Sequence, residues 1–188
     1  MNLWFRLVWL ALSCLWRGGL GVPQEASVIH SRVWFNDLDP FGHMNNGRYL
    51  TLMDLGRTDL MVRSGLAGAA VAHKWTPIAS AVLIRFRREL KLLQKFRIET
   101  RIVYWNERLA VLEQVFVFEG GAYDGQVAAR ALFKGGLYDR PSKQFIPVAR
   151  LMAEVGVAAP APRLTGEIAA YLNADEEMKR TGRTGAEA

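Results

Sequence analysis

The sequence predicts an α+β domain in which an antiparallel sheet wraps around one long central helix. A single strand-like run comes first and a long amphipathic segment follows it. Four more strand-like runs come next, joined by short turn-forming separators. The 188 residues are 51% hydrophobic with 17 Gly and 7 Pro, which suits one core rather than a disordered tail, a repeat array or two large domains.

Met1 to Trp16 is nearly all apolar but shorter than the roughly 20 residues needed to span a bilayer. On a helical projection Asn2, Arg6, Ser13 and Arg17 form a polar stripe about 60° wide, with Trp9 and Trp16 beside it. That pattern predicts a helix lying in a membrane interface, with the stripe and the indole N–H groups at headgroup level. A cleaved signal peptide and an ordinary packing helix are the alternatives. Against the first, no Lys or Arg precedes Arg6, no A-x-A site follows, and Ala11-Leu12-Ser13-Cys14 matches a lipoprotein box only loosely. Gly18, Gly19, Gly21 and Pro23 read as a hinge, so residues 1–23 are expected to form a membrane-associating segment set apart from the domain at 24–140.

Within that domain, Ser27 to Phe35 reads as a strand ending at Asn36-Asp37. Gly47 to Ser64 carries apolar residues at Tyr49, Leu50, Met53, Leu60 and Met61 among charged ones, which is amphipathic helix spacing. Gly56 interrupts it at a cost of about 1 kcal/mol relative to Ala, which implies close contact with the sheet. The strand-like runs Ile78 to Leu90, Phe96 to Trp105, Ala110 to Phe118 and Val127 to Tyr138 have short separators and predict an antiparallel meander. Phe96, Ile98, Thr100, Ile102 and Tyr104 share one face of their strand and Arg97, Glu99 and Arg101 the other, so one face is buried and one wet. Residues 141–188 read as an extension, with a short helix over Val148 to Glu154, a terminal helix over Leu164 to Lys179, and frayed residues from Thr181 onward.

Composition narrows the chemistry. The net charge of +6, carried mostly by Arg, favours an anionic partner without distinguishing nucleic acid, phospholipid or a phosphorylated small molecule. The single cysteine, Cys14, excludes an intramolecular disulfide framework and a Cys-rich zinc site. His30, His43 and His73 lie too far apart for a helical metal pair, so no metal is expected.

The densest polar cluster runs from Asn36 to Asn46, between a strand and a helix. Asp, Asn, Gly and Pro are ordinary turn formers, so the cluster alone is compatible with a structural loop. It also has chemical potential. Asn45 and Asn46 are good helix N-cap residues, and the first helical turn leaves N–H groups unpaired, where developing negative charge is stabilised. Asp39 supplies a carboxylate seven residues earlier.

The pattern Asp37-x-Asp39-x-x-Gly42-His43-x-Asn45-Asn46-x-x-Tyr49 resembles the signature of hotdog-fold acyl-CoA thioesterases of the 4-hydroxybenzoyl-CoA thioesterase type. The stretches Phe86 to Leu93 and Thr100 to Arg108 resemble the thioesterase-superfamily-member-six group, and the likeness covers about Ser27 to Arg140. The resemblance implies a hotdog fold, an acyl-CoA substrate, no cofactor, and a homodimer or higher homo-oligomer. It casts Asp39 as nucleophile or general base, the backbone N–H near Asn46 as the group polarising the carbonyl, and His43 as an orienting group or a plain loop hydrogen bonder. Asp37 is expected to hold the loop. Gly42, Asn45 and Tyr49 are candidate substrate contacts, although a packing role suits Tyr49 better. Arg85, Arg87, Arg97, Arg101 and Arg130 face outward by alternation, and of these Arg85 and Arg87 are the candidates for coenzyme A phosphates. Met44, Met53 and Met61 are candidate acyl-tunnel residues.

Coenzyme A thioesters are cytosolic, so a protein on the cytoplasmic face of a membrane, with no nucleic-acid partner, reconciles the substrate with the N-terminal segment. A non-catalytic acyl- or lipid-binding module at a membrane is the alternative function. A hotdog dehydratase fits less well, because its pattern needs a His together with an acid on the helix.

Overall fold

In the computed structural model, which describes residues 3–14, 16–158 and 160–184, the helices are α1 (Leu3–Cys14), α2 (Asn46–Arg63), α3 (Leu66–Ala72), α4 (Val148–Glu154) and α5 (Gly166–Thr184). The strands are β1 (Ser27–Arg32), β2 (Trp75–Phe86), β3 (Lys95–Trp105), β4 (Ala110–Glu119), β5 (Val127–Asp139) and β6 (Gln144–Ile146). All pairings are antiparallel, in the order β1-β3-β4-β5-β2, with β6 added to β5. The sheet curls around α2, as the sequence predicts.

The predicted meander needs one correction. Of the four runs, β3, β4 and β5 are consecutive neighbours, while β2 lies at the far edge and pairs with β5. The reason lies in the connection from β2 to β3, which is no tight turn. Leu93 donates to Val33 O, Val33 donates to Gln94 O, and Met44 donates to Leu90 O, so this segment is pinned across the start of α2. Leu90, expected in a strand, is instead fully buried in the core. The Gly/Ala-rich stretch after α2 forms α3, and α5 continues as helix to Thr184, beyond where fraying was expected. Residues 185–188 of the expected frayed end lie outside the described residues.

Gly56 allows α2 to sit directly on the sheet. A Cβ there would collide with Thr100 Oγ1 and stand 3.0 Å from Gln114 Nε2. The buried Gln114 amide donates to Met53 O at 2.9 Å and to Thr100 Oγ1 at 3.0 Å, and its Oε1 accepts from Arg57 at 2.7 Å. Helix and sheet are thus joined by a satisfied polar network within an apolar core that includes Leu52, Phe96, Ile98 and Phe116. On the opposite face of the sheet α5 packs Ile168 and Tyr171 against Val111 and Leu132, and Lys134 pairs with Asp175.

The largest departure from expectation concerns α1, which is not set apart. It packs on α2 and the edge strand β1, with Leu10 in the main core. Arg6 of α1 and Arg17 just beyond it point inward. Arg6 pairs with the buried Asp37 and donates to Arg32 O at 3.2 Å, while Arg17 pairs with the buried Asp59 at 2.6 Å and donates to Val28 O. The two guanidinium groups thereby close carbonyls along the open edge of β1. Of the predicted polar stripe, Arg6 and Arg17 face the protein rather than headgroups, and Asn2 lies outside the described residues. Trp4, Phe5, Val8, Trp9, Leu12 and Trp16 are exposed on the other side.

Gly56→Ala is expected to destabilise the protein by up to about 2 kcal/mol, because an overpacking penalty of ~1–3 kcal/mol is set against a helix-propensity gain of ~1 kcal/mol. Urea denaturation checks this, and a stabilised variant would contradict the close-packing account.

Candidate functional site

Between β1 and α2 the chain makes a single 3-10 turn at Phe35–Asp37 and then the loop predicted to carry chemistry. Asp37 is fully buried, and its Oδ2 accepts from Trp34 N–H at 2.8 Å and from Arg6, while Oδ1 accepts from Arg48 Nε at 2.8 Å. Asp37 O also accepts from Asn45 N–H at 2.9 Å, so this one residue ties the beginning of the loop to its end. The loop-holding role expected of Asp37 matches these contacts. Its partners Arg6 and Arg48 were not legible as such, since one lies 31 residues away on a different element.

Asp39 to Gly42 form a tight turn, with Gly42 N–H donating to Asp39 O at 3.1 Å. Gly42 has φ +82°, a conformation that glycine adopts without a Cβ clash. Asp39 Oδ1 accepts from Phe41 N–H at 2.9 Å, and Oδ2 stands 3.2 Å from His43 Nδ1. His43 O in turn accepts from Asp39 N–H at 2.9 Å. The Asp39 carboxylate is therefore held from both oxygens while its side chain remains 15% exposed. Phe41, overlooked in the sequence, is 85% exposed at the tip of this turn and stacks on the His43 ring.

Asn45 caps α2 by accepting from Gly47 N–H at 2.8 Å, and its backbone carbonyl accepts from Arg48 N–H. Asn46 is the first residue of the helix, and among the described residues its N–H has no hydrogen-bond partner. A free helical N–H with its partial positive charge and a fixed, accessible carboxylate thus belong to one loop–helix joint.

The remaining candidates separate. Tyr49 lies in the core, edge-on to Phe86 and Phe116, and burial pushes its phenol up to about 12, so it packs rather than faces a ligand. Arg97, Arg101 and Arg130 are engaged by Glu99, Glu113 and Glu167. Arg85 and Arg87 are exposed and, among the described residues, have no ion pair. Arg87 begins the segment whose Lys91 forms a β-bridge with His43, so a basic stretch is laid beside the Asp39 turn. The signal for Lys91 was present in a basic run, but its place beside His43 depends on the chain crossing from β2 to β3, while Arg88 lies 4.7 Å from the Tyr123 ring centre. Met53 and Met61 line cavities along α2, whereas Met44 is buried in the core. Among the described residues no His, Cys, Asp and Glu cluster could hold a metal ion.

A sequence model of the thioesterase-like superfamily matches residues 33–161. The chain is 39% identical to Protein THEM6 of Danio rerio over 130 residues, covering 68% of this chain and 63% of that one. It is 30% identical over 95 residues to the long-chain acyl-CoA thioesterase FadM of Escherichia coli, covering 50% of this chain and 70% of that one. The solved structure of YbaW, a probable thioesterase from Escherichia coli, superposes with TM-score 0.63 at 25% identity, covering 69% of this chain and 95% of that one. The chain spans less than two thirds of the THEM6 relatives it matches. The curled antiparallel sheet around α2 is the hotdog fold.

Arg6→Ala removes one of the two guanidinium groups that neutralise a buried carboxylate. It is expected to cost about 1.5–3 kcal/mol, the range for a hydrogen bond to a charged group. Chemical denaturation measures the loss, and an unchanged midpoint would show that Arg48 alone holds Asp37.

Proposed function

The chain belongs to the thioesterase-like superfamily, and from that premise we propose that it hydrolyses an acyl-CoA thioester. Water and R–CO–S–CoA give R–COOH and free coenzyme A. The observation that carries the reading is the Asp39 carboxylate, fixed from both oxygens and still accessible, in the same joint as the unpartnered N–H of Asn46. The helix N–H polarises the thioester carbonyl and stabilises the oxyanion as the tetrahedral centre forms. Asp39 acts either as the base that takes a proton from the attacking water and passes it to the departing sulfur, or as a nucleophile that forms an acyl–carboxylate anhydride, which water then hydrolyses while its proton goes to the expelled thiolate; in both cases coenzyme A leaves as the thiol. His43 orients the carboxylate from 3.2 Å. In this reading Arg85, Arg87 and Lys91 would meet coenzyme A phosphates, and the reaction needs no cofactor.

β2 is an edge strand with exposed Val82, Leu83 and Phe86 and, among the described residues, no strand partner along its outer side. Such an edge invites a second copy, and an antiparallel β2 pair would make the homodimer. The apolar outer face of α1 fits a lipid surface. Indoles at Trp4, Trp9 and Trp16 suit the headgroup boundary, and the net charge of +6 complements anionic lipid. No helix among the described residues is long and apolar enough to cross a membrane, and α1 at 12 residues is about 18 Å long, so the contact proposed is along its outer face. A cytosolic substrate puts that contact on the cytoplasmic face.

Asp39→Asn is expected to keep the fold and lower kcat by roughly 10²–10⁴-fold, with His43→Ala costing less. Thiol release from acyl-CoA measures both. Wild-type turnover by Asp39→Asn would remove the mechanism and return the acyl-binding module to the front.

Trp4 and Trp9 are 70% and 71% exposed, so replacing both by Ser is expected to leave the fold intact. Binding to anionic phospholipid vesicles should fall at least about tenfold, since burying each large apolar side chain contributes on the order of 1.5–3 kcal/mol. Wild-type protein that stays in solution with such vesicles would defeat the membrane contact.

A further inference from the structure

Two cavities run between α2 and β2. One, of about 300 Å³, starts at Leu50 and Thr51, one turn into α2. The other, of about 250 Å³, lies at the level of Leu60 and Met61, walled by Ile78, Ile102 and Leu137 and closed at its end by Leu151 and Met152 of α4. They share Asp54, Arg57, Ala79 and Phe133, and so adjoin end to end along one groove, with those side chains as the neck between them. The neck is charged, but its charge is consumed locally. The Arg57 guanidinium pairs with Asp54, donates to Gln114 at 2.7 Å and lies 3.8 Å from the Phe133 ring centre, which leaves its methylene stem to meet an apolar ligand.

We propose that this groove receives a long unbranched acyl chain whose terminal carbons fill the chamber under α4, and that α4 sets the limit of chain length. The proposal rests on the thioester being held at the Asp39–Asn46 joint. From Asn46 to Leu60 the helix advances 14 residues, about 21 Å at ~1.5 Å per residue. An extended alkyl chain rises ~1.25 Å per carbon, from bonds of ~1.5 Å at ~111°, so about sixteen carbons cover that length. The chamber wall beyond the neck is almost wholly apolar, which suits a methyl-terminated chain better than an acyl group ending in a charge. The sequence could not show this, because the floor comes from the extension after β6 and the walls from six other elements.

The test compares hexanoyl-CoA with hexadecanoyl-CoA in turnover and, separately, in calorimetric binding. Wild-type protein is expected to favour the longer chain at least tenfold in kcat/KM and in affinity. Ala110→Phe, which fills the chamber, should cut the long-to-short ratio at least tenfold. Met152→Ala, which lowers the floor, should move the preference toward octadecanoyl-CoA. The ratio is internal to each variant, so a general loss of folded protein does not alter it. A chain-length preference in binding without turnover would support the groove and overturn the hydrolase reading instead. Equal affinity for both chains, or an unchanged ratio in Ala110→Phe, would overturn the groove proposal even in an active enzyme.

Discussion

The carboxylate of Asp37 has no exposure to solvent, so its charge is tolerable only with partners that replace water. Those partners come from three places: the backbone of Trp34, Arg48 in the first turns of α2, and Arg6 from α1. Satisfying one buried charge therefore fixes the entry of the loop, the start of the helix and the position of the N-terminal segment together. Asp59 repeats the arrangement one end further along α2, where Arg17, Arg63 and Ser27 converge on it. The pair of carboxylates holds α1 against β1 like two rivets, and the arginines that reach them also occupy carbonyls of an edge strand that would otherwise stay open.

This arrangement explains the orientation of α1. A largely apolar helix with one arginine within it and a second three residues past its end has two ways to be stable: charges toward water and apolar side chains inward, or charges toward buried carboxylates and apolar side chains outward. The domain offers Asp37 and Asp59, and the second solution prevails. The outward Trp and Phe side chains follow from that choice. A lipid surface is then the proposed environment for the outer face, while the inner face of the same helix reaches the residue that anchors the Asp39 turn.

The central helix owes its position to Gly56 and Gln114. Without a Cβ at residue 56 the helix backbone approaches Thr100, and the buried amide of Gln114 bridges Met53 O and Thr100 while receiving Arg57. Arg57 is thereby held over Phe133 at the neck between the two cavities. The contact that seats the helix also shapes the groove beside it, so packing and ligand space have one origin.

The strands β3 to β5, the long helix and the Asp39–Asn46 joint were legible in the sequence because each depends on local periodicity, turn chemistry or a motif within a few residues. Tyr49 was legible as a packing residue from its helical face. The place of β2 was not, because strand order depends on where the 87–94 connection is pinned, and that depends on Val33 and Met44. The inward face of α1 was hidden for a related reason. Amphipathic periodicity shows which side chains share a face, but the medium that face meets is decided by what the rest of the chain presents, here two buried carboxylates 31 and 42 residues distant from their arginines. Local spacing is set by the covalent chain; the pairing of distant charges in a space without water is set only when the tertiary structure closes.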